Sequence, residues 1–277
     1  MELLRPDSVE SATASLVNGA VALAGGTELV PLLRDRIVEA DTLVHVTGIV
    51  PKGIRDGWIG AGTTLGELEA DPQIPAALQQ ASALAASPQL RAMGTIAGNL
   101  LQATRCWYWR LKFPCRLHGG DRCFAREGEH REHAIFANDF CASAHPSDPA
   151  AALLALSATL VTDRRRLPLA ELYRLPTEDD RRTTTLEPGE LILELEYEPP
   201  LASTYLKAMD RRRYAFALVG VAAARYAAGT RLALAGVAPI PWRLEEGELE
   251  GSTPLPRNAY KVEIAKTLVR RALEAVR

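Results

Sequence analysis

The chain is short of the features that mark membrane, secreted or nucleic-acid-binding proteins. It has only four cysteines in 277 residues, and none lies outside residues 106–141. Its formal net charge is −2, so it lacks the global basic field that non-specific nucleic-acid binding needs. No apolar run approaches the roughly 20 residues that span a bilayer. The N-terminus, MELLRPDSVESATASLV, lacks the basic-then-apolar layout of a secretion signal. A cytoplasmic, reducing setting is therefore expected, with export to the periplasm on a signal-bearing partner as the alternative; a reducing setting disfavours structural disulfides. Two nucleotide fingerprints are also missing: there is no GxGxxG and no loop ending in GK[ST], which excludes the standard dinucleotide and Walker motifs. No base–nucleophile constellation argues for substrate turnover within this chain.

What is present is an ordinary globular composition, 47% hydrophobic and 24% charged, long enough for a real core and for more than one domain. Apolar spacing predicts a helix over residues 8–20, a buried strand from 21 running into a glycine turn, a helix over 29–36 and a strand over 42–49. A strand–turn–helix unit is expected at 58–68 and an alanine-rich helix at 75–87. Residues 148–163 read as a helix followed by a strand. The charged, proline-punctuated run 164–190 reads as a boundary or linker, and 190–200 alternates like a half-buried strand. Residues 205–243 read as helix or strand segments, and 258–276 as a periodic C-terminal helix. The expected class is α+β with at least two domains.

Two small-residue turns stand out. AGGTEL, residues 24–29, follows an apolar strand; a glycine pair there lets backbone N–H groups approach a diphosphate, and Thr27 adds a hydroxyl. GTIAGN, residues 94–99, is a second turn of the same kind. Two turns suit the two halves of a dinucleotide without identifying it.

Between the second turn and HPSD lies RCWYWRLKFPCRLHGGDRCF, residues 105–124, in a stretch with little apolar periodicity that reads as a long loop. Cys106, Cys115, Cys123 and Cys141 have the spacing C-x8-C-x7-C-x17-C. Three readings remain open on spacing alone. Disulfides allow three pairings. Zinc favours C-x2–4-C knuckles, which are absent, although His118, His130, His133 and His145 permit a mixed site. A [4Fe–4S] cluster takes four thiolates from a long loop. Arg105, Arg110, Arg116 and Arg122 could offset the charge of such a cluster, and Trp107, Tyr108 and Trp109 could shield it.

Taken in order, AGGTEL, IGAGTTLGEL, LRAMGTIAGNL, HPSD, YLKAMDRRRYAFALVGVAAA and AGVAPIPWR resemble the FAD-binding medium subunit of the molybdenum hydroxylases. This is the family of xanthine dehydrogenase, carbon monoxide dehydrogenase and aldehyde oxidoreductase. The cysteine window is similar to an insertion found in a subgroup that includes aldehyde oxidoreductases and 4-hydroxybenzoyl-CoA reductase, in which four cysteines bind an extra [4Fe–4S] cluster.

The resemblance implies a two-subdomain FAD-binding fold of the vanillyl-alcohol oxidase type over residues 1–165. Its subdomains would cover about 1–52 and 53–165, with the iron–sulfur insertion at 103–144. A small α/β C-terminal domain, like that of the carbon monoxide dehydrogenase flavoprotein, would follow over 166–277. It further implies a pyrophosphate loop of Ala24, Gly25, Gly26, Thr27 and Glu28, with Leu29 beside it. Thr95, Gly98 and Asn99 would form a second FAD loop, and Asp148 would contact the flavin's sugar-alcohol or diphosphate region. Ile192 would pack on the flavin, and Lys207 would sit near the isoalloxazine ring. Cys106, Cys115, Cys123 and Cys141 would be the cluster ligands.

The implied function is an electron-transfer subunit. It would work between the [2Fe–2S] centres of a small partner, which connect to a large molybdenum-cofactor partner, and an external carrier. A stand-alone flavin oxidase of the same fold group and a zinc-stabilised binding module are the alternatives.

Overall fold

Three sheets order the chain, and the second and third share one core. The structure, a computed structural model, describes residues 1–245 and 249–277. The first sheet is parallel: β1 (Glu2–Leu4), β2 (Ala20–Leu23) and β3 (Thr42–His45) lie in the order β1-β3-β2. Parallel strands need crossovers, and short helices at Val9–Ser15 and Leu29–Arg34 supply them. The first of these starts where Ser8 Oγ accepts from Ser11 N at 3.1 Å, a serine N-cap that satisfies one orphan donor of the first turn.

The second sheet is antiparallel. It contains β4 (Ile54–Arg55), β5 (Trp58–Gly60), β6 (Thr159–Thr162), β7 (Arg166–Pro168) and β8 (Ile192–Glu196), in the order β4-β5-β8-β6-β7. The expected subdomain division at about residue 52 falls between β3 and β4. The expected domain boundary at 165/166 falls inside the β6–β7 hairpin, and β8 returns to the centre of the same sheet. Residues 164–190 are therefore not a free linker: Leu169, Leu172 and Tyr173 are buried in the main core. The run looks polar because Arg164, Arg165 and Arg166 are exposed, while Leu167, Leu169, Leu172 and Tyr173 are buried.

The third sheet, β12-β11-β10-β9, is a meander of β9 (Ala202–Ala208), β10 (Val219–Tyr226), β11 (Gly229–Ala235) and β12 (Trp242–Leu244). Its two faces differ in residue size, as strand alternation allows. Ala222, Ala224, Ala233 and Ala235 face the main core, whereas Val219, Val221, Leu232 and Leu234 face the C-terminal helix Tyr260–Ala275. The small-residue face admits the helix Asp148–Ala155, all eight of whose residues are buried. A helix apolar all round must be covered all round; here the sheet covers one side and the helix Ala76–Leu84 another. Truncating Leu153 there to alanine would cost about 2–5 kcal/mol by the usual cavity cost.

The cysteine insertion is more ordered than a long loop. It holds the short helices Trp107–Arg110 and Phe124–Glu127 and a 3₁₀ turn at Arg116–His118. It lacks apolar periodicity because aromatic contacts, Tyr108 with Phe113 edge-on at 5.3 Å and Phe113 with Phe124 at 5.2 Å, sit beside a small buried cluster of Ala125, Ala142 and Leu255.

Candidate functional site

The first glycine turn leaves β2 and meets the second directly. Gly26 has φ +71°, a left-handed conformation that a side chain would strain. Gly25 is there for space: a Cβ on it would lie 1.8 Å from the Met93 carbonyl oxygen. A Cβ on Gly94 would in turn lie 3.3 Å from Thr27 Oγ1. The second turn is closed by Thr95, whose Oγ1 accepts from Gly98 N at 3.2 Å. Ser147 Oγ donates to Asn99 Oδ1 at 2.5 Å, which joins HPSD to the same turn.

These pieces line one cavity of ≈ 160 Å³, whose walls include Thr27, Glu28, Gly98, Asn99, Asp148 and Lys207. A neighbouring cavity of ≈ 340 Å³ shares Arg105, Pro146, Ala215 and Phe216 with it. Together they reach the size range of organic-cofactor sites. Gly25, Gly26 and Thr95 shape the first cavity's turns without lining it. Ala24 packs against the small core beneath the first sheet, and Leu29 opens the helix after the turn. Ile192 lies instead in the main core on β8, paired with Thr162 and 5% exposed; it does not line the cavity.

Two of the cavity's walls form a buried polar pair. Lys207 Nζ is 2.7 Å from Asp148 Oδ2 and also donates to the Leu84 carbonyl at 3.0 Å. Tyr205 donates its hydroxyl to Asp148 Oδ1. The two charged side chains are 1% and 3% exposed. Burial pushes the Asp148 carboxyl above its ordinary range, against the pull of Lys207 and Tyr205. Tyr205 was not expected at the site. Its signal is period-two spacing: Tyr205 and Lys207 share one face of β9. The cavity walls Gln102, Tyr214 and Phe216 carried no sequence signal of their own.

The four cysteines line a third cavity together with Tyr108, Trp109 and Arg116, and Cys106 also lines the larger neighbouring one. All four are free thiols, so the disulfide reading fails. Burial pushes the thiol of Cys106 up to about 11 and that of Cys141 up to about 12, and neighbouring cysteines add to both shifts. Among the described residues no three His, Cys, Asp or Glu side chains gather closely enough to ligate a single ion. Sulfurs on one zinc lie within about 4 Å of each other, given Zn–S bonds near 2.3 Å. The four cysteines share one small cavity of ≈ 10 Å³, and their thiols are the donors that zinc and iron–sulfur centres both take.

The histidines divide likewise. His118 contacts the Trp109 carbonyl oxygen at 2.9 Å, and His130 Nδ1 contacts the Ala125 carbonyl oxygen at 2.9 Å. His145 Nδ1 accepts from Ser147 N at 3.4 Å. Of these four histidines, His133 alone contacts a cysteine sulfur: Nε2 to Cys106 Sγ, 3.2 Å. Of the expected arginines, Arg116 is at the cysteine cavity and Arg122 lies over the Phe124 ring at 4.2 Å. Arg105 and Arg110 turn to Glu28, each with a guanidinium nitrogen 2.6 Å from its carboxylate. The Arg105 contact is ionic, since Glu28 Oε2 has no aligned hydrogen-bond donor, and Arg105 Nη2 also donates to Gln102 Oε1 at 2.8 Å.

Residues 1–197 match the family described as "FAD binding domain in molybdopterin dehydrogenase". The chain is 36% identical to the aldehyde oxidoreductase FAD-binding subunit PaoB of Escherichia coli (strain K12), over 96% of this chain and 94% of that protein. Its fold is similar to carbon monoxide dehydrogenase from Hydrogenophaga pseudoflava (25% identity, TM-score 0.70, 99% of this chain and 96% of that chain). It is also similar to quinoline 2-oxidoreductase from Pseudomonas putida 86 (18% identity, TM-score 0.67, 99% of this chain and 95% of that chain).

Proposed function

The chain belongs to the FAD-binding subunits of the molybdenum hydroxylases, and from that premise we propose that it holds both FAD and a [4Fe–4S] cluster. It would carry electrons between the [2Fe–2S] centres of a small partner and an external carrier, with substrate chemistry on a large molybdenum-cofactor partner. When bound, FAD and the cluster supply two-electron and one-electron chemistry.

The chain's own residues bind and orient. The backbone of residues 24–28 would approach the diphosphate, because Gly25 and Gly26 remove the side chains that would block it. Leu29 would flank that loop. Thr95, Gly98 and Asn99 would hold the second half of the cofactor, and Asp148 its sugar-alcohol or diphosphate region. Lys207, already paired with Asp148, would place a cation beside the flavin ring, where it favours the reduced anion. Ile192 would act from behind, through the core under the site, since it does not line the cavity. Cys106, Cys115, Cys123 and Cys141 would ligate the cluster. The FAD-binding part is taken to run through β8 to about residue 197, because that division keeps the second sheet whole.

One observation carries the reading: the insertion with the four-cysteine cavity is ion-paired to Glu28 of the first glycine turn through Arg105 and Arg110. The test is the iron, zinc and flavin content and the visible spectrum of anaerobically purified protein. About four irons and about one FAD per chain are expected. Zinc without iron, in protein never exposed to oxidant, overturns the cluster.

A further inference from the structure

Resting on the cluster reading above, we propose that His133 is a positioning residue for the cluster: it donates its Nε2–H to the Cys106 sulfur and so raises the cluster's reduction potential.

The contact is 3.2 Å long and His133 is 3% exposed. A metal-bound thiolate can only accept, so the proton must be on Nε2. The other ring nitrogen agrees, since Nδ1 is buried and has no partner. The opposite tautomer would bury an unpaired N–H at Nδ1 and turn the Nε2 lone pair toward an electron-rich sulfur.

The ring has little freedom to leave. Trp107 packs edge-on against it at 4.8 Å and 83°. Its main-chain oxygen accepts from Lys261 Nζ at 2.8 Å and from Asn258 Nδ2 at 3.1 Å, and its N–H donates to the His130 carbonyl at 2.9 Å. Lys261 is fully buried and also donates to the carbonyls of Glu132 (3.1 Å) and Gly236 (2.7 Å). An ammonium spent on three backbone carbonyls is a costly way to fix a loop; what it fixes here is the residue that touches the ligand sulfur.

Of the four cysteines, Cys106 is the one that also lines the larger neighbouring cavity. It follows Arg105, which lines both neighbouring cavities, and Cys106 and His133 together line the larger one. A donor on a cluster sulfur stabilises the more negative, reduced state. His133 therefore acts on the side from which the flavin would exchange electrons.

The test is an electron paramagnetic resonance redox titration of the anaerobically purified native assembly. His133→Leu is expected to keep its iron and shift the cluster midpoint to lower potential. His133→Gln, whose amide nitrogen reaches the Nε2 position, is expected to restore most of the shift. A His133→Leu protein with full iron and the original midpoint overturns the assignment, as does an equal shift in both variants. Should His133→Leu lose iron, wild-type protein decides: labelling histidine alone with ¹⁵N must change a weak nitrogen coupling in the pulsed spectrum of the reduced cluster. A cluster without that coupling removes His133 only, whereas wild-type protein without a cluster removes the reading beneath it.

Discussion

Arg110 Nη2 donates to Glu28 Oε1 at 2.6 Å, across 82 residues of sequence. Glu28 Oε1 also accepts from the Ala103 backbone N–H at 3.2 Å. The carboxylate that ends the first glycine turn thus holds the start of the cysteine insertion, and the two candidate cofactor sites share a hinge point. Both side chains are mostly buried, 17% and 19% exposed. Glu28→Ala would leave two guanidinium groups without their counter-charge, at about 2–3 kcal/mol, somewhat below the loss for a fully buried pair. Flavin and iron content are expected to fall together. Glu28→Gln, which keeps an acceptor for Ala103 N, should fall between. Loss of either cofactor alone would show that the tie is incidental.

Cys115→Ser separates the two sites from the other side. Cys115 lines the cysteine cavity beyond Arg105 and Arg110, so its loss leaves the Glu28 contacts in place. Iron is expected to disappear while FAD stays near one per chain. Joint loss of both would mean that the insertion folds only around its metal.

Gly25→Ala tests how closely the turns abut. The added Cβ would lie 1.8 Å from Met93 O, a backbone atom that cannot swing away. The two turns must separate, and FAD affinity is expected to fall by at least about tenfold, equivalent to ~1.4 kcal/mol. Gly48→Ala, where nothing lies within 4 Å of the new Cβ, is the matched control and should bind FAD as wild type does. Flavin retention on gel filtration reads both.

The elements legible in the sequence were those with one dominant period. The C-terminal helix, expected over 258–276, spans Tyr260–Ala275, because its apolar positions recur at helical spacing on one face. The strands of the third sheet were ambiguous with helix. VGVAAARY packs small residues on one face and larger ones on the other, so both faces are apolar and alternation vanishes. Residues 164–190 misled for a different reason. Arg, Glu and Asp make up 12 of its 27 residues, while the residues that decide the packing, Leu167, Leu169, Leu172 and Tyr173, are spread among them. At the site, glycines and cysteines could be read because their chemistry is singular. Tyr205 and the contact of His133 with Cys106 could not, since each depends on a neighbour far away in sequence.

Lys207→Met is expected to destabilise the protein more than Asp148→Asn. Removing the ammonium leaves a buried carboxyl with only Tyr205 as donor, which typically costs about 3–5 kcal/mol for a broken buried pair. Protonation limits the damage, because burial already raises the Asp148 carboxyl, and so the defect should shrink as pH falls. Asp148→Asn keeps one acceptor oxygen for Lys207, and its amide nitrogen can donate to the Tyr205 hydroxyl, which also accepts. Chemical denaturation of both variants at two pH values checks the order; equal destabilisation at every pH would mean that the pair carries no charge.

Glu190 supplies a pH dependence outside the site. Burial would raise its carboxyl, but Arg165 at 2.8 Å, the Glu187 N–H and the Thr162 hydroxyl more than offset this and hold it at about 2. A carboxyl lowered from 4.5 to about 2 on folding binds fewer protons folded than unfolded between those values. Its stabilisation is therefore complete above about pH 4.5 and is lost as pH falls toward 2. Allowing for screening at the 40% exposed Arg165 side chain, the contribution is of order 2 kcal/mol. Glu190→Gln should lower unfolding free energy by about that amount at pH 6. The gap between variant and wild type should close steadily in urea titrations carried from pH 5 toward pH 3. A gap that stays constant over that range would mean that Glu190 works through packing and neutral hydrogen bonds alone.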